Sequence, residues 1–141
     1  MKKILLALLM LLPAQAYAAS SSEFISKTRA DLTATITIAD STTVSQAIDL
    51  YGTQLVGIFV PSTFDGTALT FTASDTLAGT YLPVDIDQTS SSAYTVTTAA
   101  SKYAPLTNPD VFRGLRFVKI VTSSAQTTTN TVFTLATRPL N

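Results

Sequence analysis

The chain has 141 residues, nine basic and nine acidic, and neither cysteine, histidine nor tryptophan. No cysteine means no disulfide framework, and no histidine removes the commonest general base, the Ser-His-Asp triad and most zinc or copper sites. Charged residues are only 13% of the sequence, so solubility rests on hydroxyls, and nucleic acid, which needs a basic surface, is excluded as an expected partner.

Residues 1–18 have the order of a secretory signal peptide. Lys2 and Lys3 precede an apolar run from Ile4 to Leu12, Pro13 ends it, and Ala16-Tyr17-Ala18 places small residues at a cleavage site. The run is shorter than the roughly 20 apolar residues of a membrane-spanning helix, so no stable membrane span is expected after cleavage. The expected destination is the periplasm or the extracellular space. Losing Lys2 and Lys3 leaves seven basic residues against nine acidic, a net charge of −2.

Residues 19–30 read as an N-terminal arm or linker. Ser20 and Glu23 have the spacing of a helix capping box, and a flexible linker is the other reading. Residues 31–141 read as one domain, and its pattern is β. Leu32, Ala34, Ile36 and Ile38 alternate with threonines, the period of two that marks a strand with one buried face. Gln46 to Leu50 is a short candidate. Leu55 to Val60 is nearly all apolar and reads as a central strand covered on both faces. Leu69, Phe71 and Ala73 alternate with Thr70 and Thr72, and Tyr94 and Val96 with Thr95 and Thr97. Tyr81 to Val84 and Lys102 to Leu106 are further short candidates; Leu115 to Val121 and Val132 to Ala136 complete the set. Pro109 to Phe112 suits a one-turn helix, with Asn108 as its cap and proline at its first position.

About eight short strands at regular spacing predict an all-β fold, an antiparallel β-sandwich with jelly-roll-like topology; a closed barrel is the alternative. The expected core is Leu32, Ile36, Ile38, Ile48, Leu55, Val56, Ile58, Val60, Leu69, Phe71, Tyr94, Val96, Leu115, Phe117, Val118, Ile120, Val132 and Leu135.

Three stretches carry a family resemblance. They are Ala47 to Gly52 running into Leu55 to Pro61, Leu69 to Asp75 followed by Tyr94 to Val96, and Phe112 to Ile120 closing with Thr137 to Leu140. They resemble small phage-encoded proteins whose genes often lie near the major capsid gene. Where that family carries an Asp-Gly turn, this chain has Asp85 to Ser90. The resemblance implies a sandwich of the discoidin or carbohydrate-binding-module type. It also implies a virion structural role, such as a capsid-decorating protein acting without bond chemistry.

Candidate sites follow from residue type. Asp75, Asp85 and Asp87, with backbone carbonyls, form a candidate calcium set; solvated loop carboxylates are the plainer reading. No other cofactor is expected. Asp49, Asp65 and Asp110 lack the spacing of a catalytic acid–base pair, so no catalytic residue is assigned. Phe64, Tyr81, Tyr103 and Phe112 fall near loops, where exposed aromatics would stack on sugar rings or anchor a protein partner; core packing is the alternative for each. Arg113, Arg116 and Lys119 are a small basic cluster, read as salt-bridge partners of nearby aspartates or as a contact to an acidic surface or sugar acid. Weakly charged edge strands invite pairing between copies, which would give a homo-oligomer, unless Pro83, Pro105 or Lys102 blocks them. The expected partner is therefore a protein lattice such as a capsid, or a surface glycan.

Overall fold

The computed structural model describes residues 33–87, 91–127 and 129–140. The expected signal peptide, the arm and Leu32 lie outside them. Nine strands and one 3-10 turn form among the described residues: β1 (Thr33–Ile38), β2 (Ile48–Asp49), β3 (Thr53–Val60), β4 (Ala68–Ser74), β5 (Leu82–Pro83), β6 (Val96–Thr97), β7 (Lys102–Pro105), the turn Pro109–Phe112, β8 (Phe117–Thr122) and β9 (Thr131–Pro139). Proline opens the turn as expected, but the Asn108 side chain does not cap it. The Asn108 backbone N–H instead donates to the Tyr94 hydroxyl, 3.1 Å away.

The strands make two antiparallel sheets. One has the order β1-β9-β3-β7; the other has β2-β8-β4-β5, with β6 also on β4. β5 and β6 pair with opposite ends of the same side of β4, so they act as one interrupted edge strand. An excursion closed by the Asp85–Ala93 bridge separates them, and the Tyr94 N–H donates to the Val84 carbonyl where it returns. Counting that pair once, the chain changes sheet at every step except the one from β4 to β5. This is the jelly-roll alternation, a β-sandwich of two open sheets rather than a closed barrel.

Period-two alternation supplies the interior. Ile36 and Ile38 of β1, Leu69 and Phe71 of β4, Val118 and Ile120 of β8, and Phe133 and Leu135 of β9 are all buried. Each such side chain contributes roughly 1.5–3 kcal/mol on leaving water. Val132, expected in the core, is 46% exposed. It cannot share a face with Leu135, three residues away; the inward set is Thr131, Phe133, Leu135 and Thr137.

β3 corrects a second expectation. It lies between β9 and β7, yet only one of its faces is fully covered, because Phe59 is 49% exposed. Its continuous apolar run has another cause. The register against β9 slips between Leu55 and Gly57, leaving Val56 as an extra, half-buried residue. That β-bulge switches the inward parity from odd, at Leu55, to even, at Ile58 and Val60. Ile48 and Leu115 are half-buried at the margin of the core. Leu50, Val84 and Leu106 are buried beyond the expected set, and Phe64 and Phe112 take the core-packing alternative.

Candidate binding face

Alternation on the β1-β9-β3-β7 sheet sends one set of side chains outward: Thr33, Thr35 and Thr37 of β1, Gly57 and Phe59 of β3, Tyr103 and Pro105 of β7, and Val132, Thr134, Ala136 and Arg138 of β9. Arg138, at one end, is the single charged residue of that set.

At the other end stand two rings. Phe59 and Tyr103 are register partners across β3 and β7, each 49% exposed. Their centroids lie 4.7 Å apart at 43°, within the range of favourable aromatic pairs. Tyr103 lies across Gly57, whose missing side chain makes room for the ring. Phe59 pairs with Thr134, and Val132 follows on the same side of β9. An apolar strip flanked by threonine hydroxyls thus crosses three strands. Tyr103 also borders a groove of about 530 Å³ where the β6 and β7 edges approach, lined by Thr67, Val96, Thr98, Lys102 and Pro105.

Of the four aromatics singled out from sequence, only Tyr103 stands open on a face. Phe64 is 5% exposed and packs edge-on against Phe133, with centroids 5.6 Å apart. Phe112 is fully buried and meets Phe71 at 4.9 Å and Tyr94 at 5.4 Å. Both are therefore core residues rather than binding platforms: they fold inward from loops to close the ends of the sandwich. Tyr81 is half-buried. Its hydroxyl donates to the Leu77 carbonyl at 3.1 Å, and the Lys119 ammonium sits 3.9 Å from its ring centroid, so one ring face is taken. Phe59 was missed because it sits inside an apolar run; the bulge that turns it outward leaves no mark in composition.

The carboxylates are dispersed. Asp85 and Asp87 border a groove of about 560 Å³ with Leu82, Ile86, Val111 and Leu115. Among the described residues no three acidic side chains gather to hold a metal ion, so Asp75, Asp85 and Asp87 do not form the expected calcium set. Asp49 accepts the Tyr51 N–H at 2.9 Å and pairs with Arg116 at 3.5 Å. Asp65 Oδ2 accepts both the N–H and the hydroxyl of Thr127, each at 2.9 Å. Those two bonds, the backbone one first, hold its carboxyl below the usual aspartate value. Asp110 accepts from Gln54 and faces Arg138.

The basic cluster disperses in the same way. The Arg116 guanidinium lies 4.9 Å from the Phe117 ring centroid and 5.5 Å from that of Tyr51. Lys119 covers Tyr81, and Arg113 borders a separate cleft with Arg138.

Compared with known proteins, the chain matches no family model, no curated protein and no solved structure.

Proposed function

We propose that this is a non-enzymatic binding and structural protein, a capsid-associated component of a phage virion that works through surface contacts. The supporting observation is the Phe59–Tyr103 pair on an uncharged, hydroxyl-flanked part of a sheet face. Rigid aromatic rings whose neighbours on the sheet face are neutral are what the centre of a protein interface uses, because burying them requires little desolvation of charge. The jelly-roll topology is compatible, since viral capsid domains use it; the fold alone does not fix the role. Contact with a regular lattice would repeat the same strip at every copy.

The test is direct. Virus particles from the source culture are purified on a density gradient, and their proteins identified by mass spectrometry. The chain should travel with the particle band, and Phe59→Ala with Tyr103→Ala should release it into the soluble fraction. Recovery of the natural chain only as free protein overturns the assignment.

A second reading, an exported carbohydrate-binding module, is favoured by Tyr103 standing beside a groove bordered by Thr67 and Thr98. A ring next to hydroxyls and a lysine is a common way to hold a sugar. A glycan array separates the two: specific binding lost in Tyr103→Ala supports the module, and a blank array removes it.

A further inference from the structure

Beyond the ring pair, the β1-β9-β3-β7 sheet carries a second feature at the opposite end of β3. Gln54 and Arg138 are register partners on β3 and β9. Gln54 is only 2% exposed, and every polar atom of its amide is used. Its Nε2 donates to the Pro109 carbonyl and, at 3.0 Å, to Asp110 Oδ1; its Oε1 accepts from Arg138 Nε at 2.9 Å. A buried amide locked by the 3-10 turn therefore fixes the Arg138 guanidinium in place.

Arg138 is fixed but not neutralised. Its Nη2 stands 3.5 Å from Asp110 Oδ1, the outer limit of a hydrogen bond, and the two side chains are 55% and 70% exposed. Pairs of that kind contribute little and exchange readily with solvent or another anion. Of the five N–H donors of a guanidinium, one goes to Gln54 and one faces Asp110. Arg113 lies on the same cleft, which holds about 240 Å³ and has Pro139 and Leu140 as its apolar wall. The Arg113 side chain makes no hydrogen bond or ion pair with any described residue. Among the described residues, two guanidiniums thus share one small cleft with one carboxylate, an excess of a single positive charge.

We propose that the cleft between Arg113 and Arg138 is a docking site for a carboxylate side chain of a protein partner. The planar guanidinium fork matches a carboxylate in two parallel hydrogen bonds. A net charge of one suits a monoanion better than a phosphate dianion. The Pro139–Leu140 wall gives a short aliphatic stem somewhere to pack. The cleft and the ring pair are separated by four residues along β9, from Thr134 to Arg138, roughly 13 Å at strand rise. One partner surface spans that distance, with an apolar contact at one end and an acidic residue at the other. The protein nature of the partner rests on the reading proposed above; the carboxylate chemistry does not.

The experiment is a titration of isotope-labelled protein, following the arginine Nε–Hε signals by NMR. The probes are a capped tetrapeptide containing glutamate, the same peptide with glutamine, glucuronate and inorganic phosphate. The glutamate peptide should shift the Arg113 and Arg138 signals saturably, and the glutamine peptide should not. Affinity should fall with added salt. Arg113→Ala should weaken the glutamate peptide at least tenfold with an unchanged melting temperature, because that side chain supports nothing in the fold. Equal shifts from the glutamine peptide, no saturation, or an unaffected Arg113→Ala overturns the site. Tighter binding of glucuronate or phosphate overturns the protein partner. Absence of the chain from virus particles would leave the titration untouched, so the two proposals fail separately.

Discussion

The Tyr103 ring occupies the space where a side chain at Gly57 would stand: a Cβ there falls 2.6 Å from the tyrosine Cζ. The two residues belong to neighbouring strands, β7 and β3, and the glycine backbone is the floor on which the exposed ring lies. Gly57→Ala should therefore displace Tyr103 and break its contact with Phe59. Only the far end of an exposed side chain has to move, so stability should change by about 1 kcal/mol, the worth of the aromatic pair it breaks. Urea denaturation should show the small stability change, and loss of particle or ligand binding should show the large functional one. Intact binding in Gly57→Ala would mean that the ring pair is not the contact.

Phe112 presents the opposite case. It is fully buried and makes edge-to-face contacts with both Phe71 and Tyr94. Phe112→Ala should cost about 3–5 kcal/mol, the usual range for a buried phenylalanine. That is a large share of a small domain's total stability, about 5–15 kcal/mol. The denaturation midpoint should fall steeply, and a loss under about 1 kcal/mol would be incompatible with a closed end of the sandwich.

Gln126 should matter far more than its polarity suggests. It is 0% exposed and ties three loops together. Its Oε1 accepts the Asp65 N–H at 3.1 Å, its Nε2 donates to the Ser124 carbonyl at 3.0 Å, and its backbone carbonyl accepts the Ser41 N–H at 2.7 Å. Gln126→Leu keeps the volume but strands the Asp65 N–H, while the Ser124 carbonyl keeps only the Thr122 hydroxyl, 2.7 Å away. The expected loss is about 1–3 kcal/mol. Hydrogen exchange at the Asp65 amide should accelerate with it.

Asp65 gives the domain an acid-side dependence. Its carboxyl titrates below the unfolded aspartate value because Thr127 donates two bonds to the ionised form. A depressed folded pKa means that the unfolded chain binds the proton more readily. The contribution is complete above the unfolded value of 3.8 and disappears as pH falls through the lower folded value. NMR titration of the Asp65 side chain should give a midpoint below 3.8, and Thr127→Val, which deletes the hydroxyl bond, should raise it. An unmoved midpoint in Thr127→Val would assign the shift to the backbone bond alone.

Strand existence was legible because alternation and hydroxyl content are local properties. Ile36, Ile38, Leu69, Phe71 and Ile120 were placed correctly from pattern alone. The direction of a side chain after an irregularity was not. The bulge at Val56 reverses the parity of β3, and it exists only because β9 pairs with β3 in a shifted register. The same limit applies to loop aromatics: Phe64 and Phe112 turn inward and Tyr103 outward, and nothing within a few residues of each separates them. The buried amides of Gln54 and Gln126 were invisible for a related reason. Their partners, Asp110, Arg138, Asp65 and Ser124, include residues as far as 84 positions away.

Composition and periodicity by themselves determined an all-β chain without cysteine or histidine chemistry, because backbone preference and side-chain alternation act between neighbours. Tertiary pairing alone decided which rings face solvent, which carboxylates stay apart and which guanidiniums share a cleft. Those outcomes depend on strand register and loop closure, which are settled only when residues distant in the chain meet.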